Sequence, residues 1–321
     1  MKVNEQVLVE DEYEIPVVPI KFDEYDPKNI DIWDSYIQIK DEKKRTTRAI
    51  LDAKFPYLIE SEKGQGKTLL IYTICKENNI ALIDEQVGPG TRKTDLIGNK
   101  EINRNGTLYN LGILPRAIEV ANHFGHACLY CDEGNTQDPE IQKLWNRICD
   151  GRKSVFANGK KYKLNPDCKL AIVWTINPIT YAGINSMPED LRSRFVGDVW
   201  NYPTSKEIEK VIGWDDFGVQ PNEKKGDGWA MVDKTTSDVK LGMDLIFTFV
   251  QDIHALRMKG DVEYSLSIRD IKQFCAYLRY VMDSSNPIER AIQDVFLVKF
   301  SDSAERELVR IRANDTFGTR V

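Results

Sequence analysis

From about residue 56 to 200, short apolar runs alternate with amphipathic stretches, the pattern that builds a parallel α/β sheet. Five runs are predicted strands, over 56–60, 80–87, 127–131, 170–175 and 196–200. Between them, 67–77, 114–123 and 139–150 carry helical spacing. The last has Asp138 as N-cap and Pro139 at the first helical position, where a missing N–H costs nothing. After Trp200 the spacing turns helical. Thr204 with Glu207 makes a full capping-box pattern and Ser267 with Asp270 a looser one, and helices are predicted over 241–258, 267–282 and 287–300. The polar, glycine-bearing segment 213–238 breaks this periodicity and reads as a long loop or small insertion. Repeats, heptads and low-complexity tracts are absent.

Composition narrows the class. With 321 residues, 41% apolar and 29% charged, the chain has the make-up of a globular protein of one core domain and a satellite. The start Met1 to Gln6 lacks the basic-then-apolar order of a signal peptide, and the longest uncharged stretch, 170–188, contains Thr, Asn, Pro and Gly that suit no lipid-spanning helix. A cytoplasmic protein without membrane insertion is expected. Residues 1–34 hold ten acids against three lysines, so an acidic head precedes a nearly neutral body. A general nucleic-acid surface is therefore not favoured, although a local basic patch remains open. His123, His126, Cys128 and Cys131 could be drawn as a zinc site. Cys128 and Cys131 fall in one apolar strand, however, and residues three apart on a strand face opposite ways. Reduced thiols and no metal cluster are expected.

Two motifs carry chemistry. Ser61, Glu62, Lys63, Gly64, Gln65, Gly66, Lys67, Thr68 and Leu69 follow an apolar strand and open a helix, the context of a phosphate-binding loop. Two glycines let the backbone curl so that its N–H groups face phosphate oxygens, and the helix adds its positive end. Lys67 would reach the β- and γ-phosphates and the Thr68 hydroxyl a Mg²⁺ ion. Ser61 stands where the motif usually opens on glycine. An apolar strand then ends in Asp132 and Glu133, as a Walker B strand does. Asp132 would hold the Mg²⁺ shell, and Glu133 would orient and deprotonate the attacking water.

Together with Asp95 to Gly98, Gly112 to Leu114, Asp132 to Asn135, Asn177-Pro178, Tyr181 to Gly183 and Leu191 to Phe195, these motifs occur in the order seen in one ATPase family. The chain resembles AAA+ ATPases of the MoxR, cobaltochelatase-small-subunit-like and dynein-related (midasin-like) branch, closely over 50–200 and more loosely beyond. Gly134 departs from the apolar residue usual after the acidic pair. The resemblance implies a P-loop αβα core with a parallel five-stranded sheet and a C-terminal helical lid. It divides the chain into an acidic extension over 1–45, a core over 46–202 and a lid over 203–321 with a loop over 213–240. It implies that Asn177 is sensor 1 and helps position the water. Arg194, with Arg192 as the alternative, would be the arginine finger acting on a neighbouring subunit's ATP, and Arg269 sensor 2.

Asn158-Gly159 between two short runs predicts a two-residue hairpin over 152–164 that pairs Val155 with Tyr162 and Phe156 with Lys161. Arg152, Lys153, Lys160, Lys161 and Lys163 make it basic. It is either a solvated hairpin or a substrate contact. The expected function is Mg²⁺-dependent ATP hydrolysis in a homo-oligomeric ring, expected to be a hexamer, coupled to remodelling of a protein client. By family analogy alone that client carries a von Willebrand A-type domain. The alternatives are an ATP-driven nucleic-acid remodeller and a GTP-driven motor, since residues 99–102 begin like the guanine motif but lack its acid. A small-molecule kinase and a non-enzymatic scaffold fit less well, since the first has no use for the sensor-like residues and the second none for an intact Lys67, Thr68, Asp132 and Glu133.

Overall fold

A computed structural model describes residues 15–104, 106–178, 185–212, 243–281 and 283–319. Contacts divide the chain into two units. The first holds the described residues up to Asp34 with Lys43–Glu60 and Thr68–Asp198; the second holds Ser35–Glu42, Ser61–Lys67 and the described part of Val199–Val321.

The first unit is built on a sheet. Its strands are β1 (Tyr57–Ser61), β2 (Ala81–Gln86), β5 (His126–Asp132), β8 (Lys169–Ile176) and β9 (Val196–Trp200), in the order β2-β5-β8-β1-β9. The pairings of β2 with β5, β5 with β8 and β8 with β1 are parallel. The central strands β5 and β8 are buried on both faces, as a sheet covered on both sides requires. Helices α2 (Lys67–Glu77) and α4 (Ile113–Phe124) follow β1 and precede β5. The predicted strand boundaries move by one residue or less.

The first unit also holds elements that were not anticipated. Helix α1 (Glu42–Asp52) precedes β1, a hairpin of β3 (Gly98–Asn103) and β4 (Gly106–Leu111) precedes α4, and the described N-terminal residues wrap the core. Val18 N–H donates to Tyr109 O and Tyr109 N–H to Pro16 O, while the Phe22 ring stacks on His123 at 3.9 Å. Residues 99–102 lie in β3, where Asn99 pairs with Asn110, so they form ladder rather than a base-reading loop. The predicted helix over 139–150 is broken: α5 (Pro139–Gln142), a tight 3₁₀ turn and α6 (Asn146–Cys149). Buried Gln137 causes the break, taking Trp145 Nε1–H on its side chain and Gln142 Nε2–H on its carbonyl.

The hairpin of β6 (Ser154–Ala157) and β7 (Lys160–Lys163) has the predicted register, with Asn158 at φ 49° and Gly159 at φ 71° as a type I′ turn needs. One member of its basic set is not solvated. Lys153 is partly buried with its ammonium on Ala53 O and Leu170 O, and burial pulls it down to about 8. Arg152 pairs with Asp150. Among the described residues no disulfide is formed, and Cys128 and Cys131 are buried in β5.

The second unit is helical. After α7 (Glu189–Arg192) in the first unit come α8 (Ser205–Val211), α9 (Met243–Lys259), α10 (Ile268–Tyr280) and α11 (Pro287–Ala291). A π turn and a 3₁₀ turn continue α11 to Lys299, and α12 (Ser303–Phe317) is the last helix. Both predicted capping boxes are made: Thr204 with Glu207, and Ser267 with Asp270. Phe249, Phe274 and Phe296 sit in its core, the last two rings stacked at 4.5 Å. The expected loop over 213–240, and Tyr181 to Gly183, lie outside the described residues. Among the described residues no helix is long and apolar enough to cross a membrane.

Candidate functional site

The phosphate-loop residues and the strand-end residues each form a cluster. In the second unit, the loop Ser61–Lys67 turns through left-handed backbone at Gly64 (φ 71°) and Gly66 (φ 81°). A side chain at Gly64 would meet Ser267, and its Cβ would lie 3.5 Å from that of Arg269, so glycine is required by shape as well as by φ. Arg269, the expected sensor 2, is exposed in the first turn of α10 beside this loop. The Lys67 ammonium folds inward onto the loop's own carbonyls, at 2.8 Å from Ser61 O and 3.2 Å from Glu62 O. Gln65 Nε2 is buried without a hydrogen-bond partner, a donor inside the same cradle. Lys63 is exposed, and Leu69 lies in the first turn of α2.

Glu62 has a role that its place in the motif does not reveal. Its carboxylate takes Arg257 Nη1–H at 2.6 Å, and both side chains are almost wholly buried. Arg257 also donates from Nε to Glu263 O at 3.1 Å, so the guanidinium is held at two points. No local sequence signal marks a pair 195 residues apart.

In the first unit, Thr68, Asp132, Glu133 and Asn177 converge where α2 starts and β5 and β8 end. Asn177 is buried and donates from Nδ2 to Glu133 Oε1 at 2.9 Å. Its carbonyl accepts from Asn135 Nδ2, also at 2.9 Å. Glu133 occupies left-handed backbone (φ 50°), a conformation costly for a side-chain-bearing residue, at the turn that aims its carboxylate. Asp132 Oδ1 accepts Glu133 N–H at 3.1 Å and the Thr175 hydroxyl. Tyr130 OH lies 3.1 Å from Thr68 Oγ1 and 3.3 Å from Thr175 Oγ1. Burial, then the Asp132 charge, pushes the Tyr130 hydroxyl far up, so it stays protonated. Asp84 of β2 also feels Asp132; burial raises its carboxyl, and Tyr72 OH donates to it.

Tyr130 and Thr175 are absent from the sequence reading, yet a signal existed. Tyr130 stands two before Asp132, and Thr175 two before Asn177, so each shares a strand face with a predicted site residue. The departure at Gly134 also has a cause. The Trp174 ring fills the place of its side chain: a Cβ there would lie 2.7 Å from Cδ2 and 3.0 Å from Cζ3.

The donors fit the expected ligands. Hydroxyl and carboxylate oxygens at Thr68 and Asp132 suit Mg²⁺, which is commonly held by one or two protein oxygens plus water and phosphate. The loop with its inward lysine suits a phosphate chain. Arg192 and Arg194 stand at the end of α7. Arg192 is exposed, 3.8 Å from Glu60, and Arg194 donates from Nε to Asn146 Oδ1 at 3.0 Å. Asp190 takes Asn146 Nδ2–H, and the Arg194 charge is among the influences that lower the Asp150 carboxyl.

No family model matches the sequence. The chain is similar to the denitrification regulatory protein NirQ of Stutzerimonas stutzeri, 26% identical over 159 residues, covering 49% of this chain and 55% of NirQ. It is similar to midasin of Giardia intestinalis, 25% identical over 158 residues, covering 49% of this chain and 3% of midasin. An uncharacterized protein of Staphylococcus saprophyticus subsp. saprophyticus, SSP1341, is 25% identical over 259 residues, 78% of this chain and 87% of its own length. The match thus spans about half of NirQ and a small part of midasin. Strand order, clustered motif residues and these relatives agree with the resemblance to AAA+ P-loop ATPases of the MoxR-like and midasin-like branch.

Proposed function

We propose that the chain is a Mg²⁺-dependent ATPase working as a subunit of a homo-oligomeric ring, with hydrolysis coupled to remodelling of a protein partner. The observation that carries the reading is the Asn177–Glu133 hydrogen bond beside Asp132 and Thr68. A buried amide anchors one carboxylate oxygen of Glu133 and so orients the group that would take a proton from water in line with phosphate. Lys67 and the loop amides bind the phosphates, giving up the lysine's two carbonyl contacts for charge-assisted ones. Thr68 and Asp132 would hold the metal, which when bound would offset the charge that develops on the phosphates. Arg269 would add lid charge to the same phosphates, and Arg194 would act on a neighbour's nucleotide.

ATP is preferred to GTP because the guanine-like residues 99–102 are tied into the β3–β4 ladder. A protein client is favoured over nucleic acid, since Lys153 and Arg152 are engaged and the hairpin's solvated charge falls to Lys160, Lys161 and Lys163. The test is Glu133→Gln. Turnover should fall about a hundredfold or more while ATP binding persists, because the metal-holding Asp132 is untouched. The same variant, immobilised with ATP, should retain the client. Undiminished hydrolysis by Glu133→Gln would overturn the assignment.

A further inference from the structure

Followed along its close contacts, the hydroxyl chain between Thr68 and Asp132 runs in one direction. Each hydroxyl has one proton to give. Thr175 spends its proton on Asp132 Oδ1, a carboxylate oxygen that can only accept. In the 3.3 Å contact Thr175 is therefore the acceptor and Tyr130 the donor. Tyr130 has then spent its own proton, so Thr68 donates across the 3.1 Å contact. The chain runs Thr68 O–H to Tyr130 O–H to Thr175 O–H to Asp132, inside a core where Tyr130 and Thr175 are fully buried.

We infer that Tyr130 and Thr175 are positioning residues for a divalent cation, forming a one-way hydroxyl relay that orients Thr68 and Asp132 together. The inference rests on the reading that these two residues hold the metal. A threonine that coordinates a cation uses an oxygen lone pair, and its proton must then go elsewhere; Tyr130 is the acceptor. At the other end, the relay and Glu133 N–H both land on Oδ1 of Asp132, which leaves Oδ2 for the metal's water shell. The two ends are set by one chain of bonds, so breaking any link disorders both. Most strand positions like Tyr130 need only apolar bulk; a phenol here is explained by the hydroxyl it places.

The test measures Mn²⁺, as a paramagnetic substitute for Mg²⁺, bound to the full chain with a non-hydrolysable ATP analogue. Binding is followed by electron paramagnetic resonance, and analogue binding is measured separately with the metal chelated. Tyr130→Phe should weaken nucleotide-dependent Mn²⁺ binding about fivefold, the worth of one net hydrogen bond, and leave metal-free analogue binding unchanged. Thr175→Val should do the same, Thr175→Ser should retain wild-type affinity, and the double variant should lose no more than either single one. A merely structural tyrosine would lower thermal stability without this metal-specific split. Unchanged Mn²⁺ affinity in Tyr130→Phe, or additive losses in the double variant, would overturn the relay. If the unsubstituted chain itself holds no Mn²⁺ with the analogue, the metal-holding reading fails first.

Discussion

Gly134 offers the sharpest test of packing at the site, because the neighbour that excludes a side chain there cannot step aside. The Trp174 ring that a Cβ would strike is fully buried. It is wedged between Trp145, edge-on at 5.0 Å, and Phe195, tilted at 5.4 Å. Two effects of Gly134→Ala oppose each other. The substitution restricts the unfolded chain, worth roughly 0.4–1 kcal/mol of stabilisation. Forcing a methyl into a filled core costs about 1–3 kcal/mol, and contacts this short belong at the upper end. A net loss of about 2 kcal/mol is expected. For a chain of 321 residues that is a melting midpoint lower by roughly 3 °C. The control is Trp174→Leu, which opens the space. In that background Gly134→Ala should cost nothing or stabilise, giving a coupling of about 2 kcal/mol in a double-mutant cycle. The assay is calorimetric or denaturant unfolding of the four proteins, with ATP turnover alongside, since a shifted Gly134 also moves Glu133. Equal losses in both backgrounds, or no loss in the first, would refute the packing argument.

Lys153 gives a pH signature. The fold holds it at about 8 against 10.5 unfolded, so the folded state disfavours the charged form. That penalty is full below pH 8 and lifts as pH rises towards 10.5. Relative to Lys153→Met, the parent should therefore gain up to about 3 kcal/mol across that window; parallel urea profiles of the two at pH 7.5 and 10 would refute it. Arg257→Met strands the buried Glu62 carboxylate and should cost about 3–5 kcal/mol, whereas Glu62→Met with Arg257→Met should recover most of it, as read by thermal unfolding. Arg194→Ala and Lys67→Ala subunits should each be nearly inactive alone. Mixed, they should regain ATPase activity, because a trans-acting arginine is worth about a thousandfold or more. If mixing with wild type lowers activity only linearly and mixing the two variants restores nothing, Arg194 serves its own Asn146 instead.

The sheet, the loop and the acidic pair were legible because each has a strong local signal: apolar runs, glycine spacing and charge at a strand end. The β6–β7 register followed from two residues alone, since Asn158-Gly159 admits few other turns. The β3–β4 hairpin escaped because Gly98–Asn103 has one large apolar residue, Ile102, and that residue is 84% exposed. Helix α12 escaped for a similar reason: it is rich in charge and buries only Val309 and Ala313 among its described side chains. The Glu62–Arg257 pair and the aromatic wall over Gly134 depend on residues brought together by the fold, so no window of sequence contains them. Lys153 was misread because a lysine beside a basic turn looks solvated, and only the backbone carbonyls of Ala53 and Leu170 show otherwise.

The order of the sheet also bears on how the chain is made. Strand β1, which leads into the phosphate loop, lies between β8 and β9, and its first registered pair is Tyr57 with Val173. A ribosome adding about 5–20 residues per second needs roughly 6–23 seconds between those two positions. Throughout that interval the apolar run of β1 and the buried face of α2, with Leu70, Ile71 and Ile74, have been synthesised without the strands that will flank β1. Loop closure over such a span is slow, and unpaired apolar strands invite association. The nucleotide motif is thus among the first parts of the core to be translated and among the last to acquire its neighbours, which makes the nascent chain's early half a natural client for the cell's own holding chaperones.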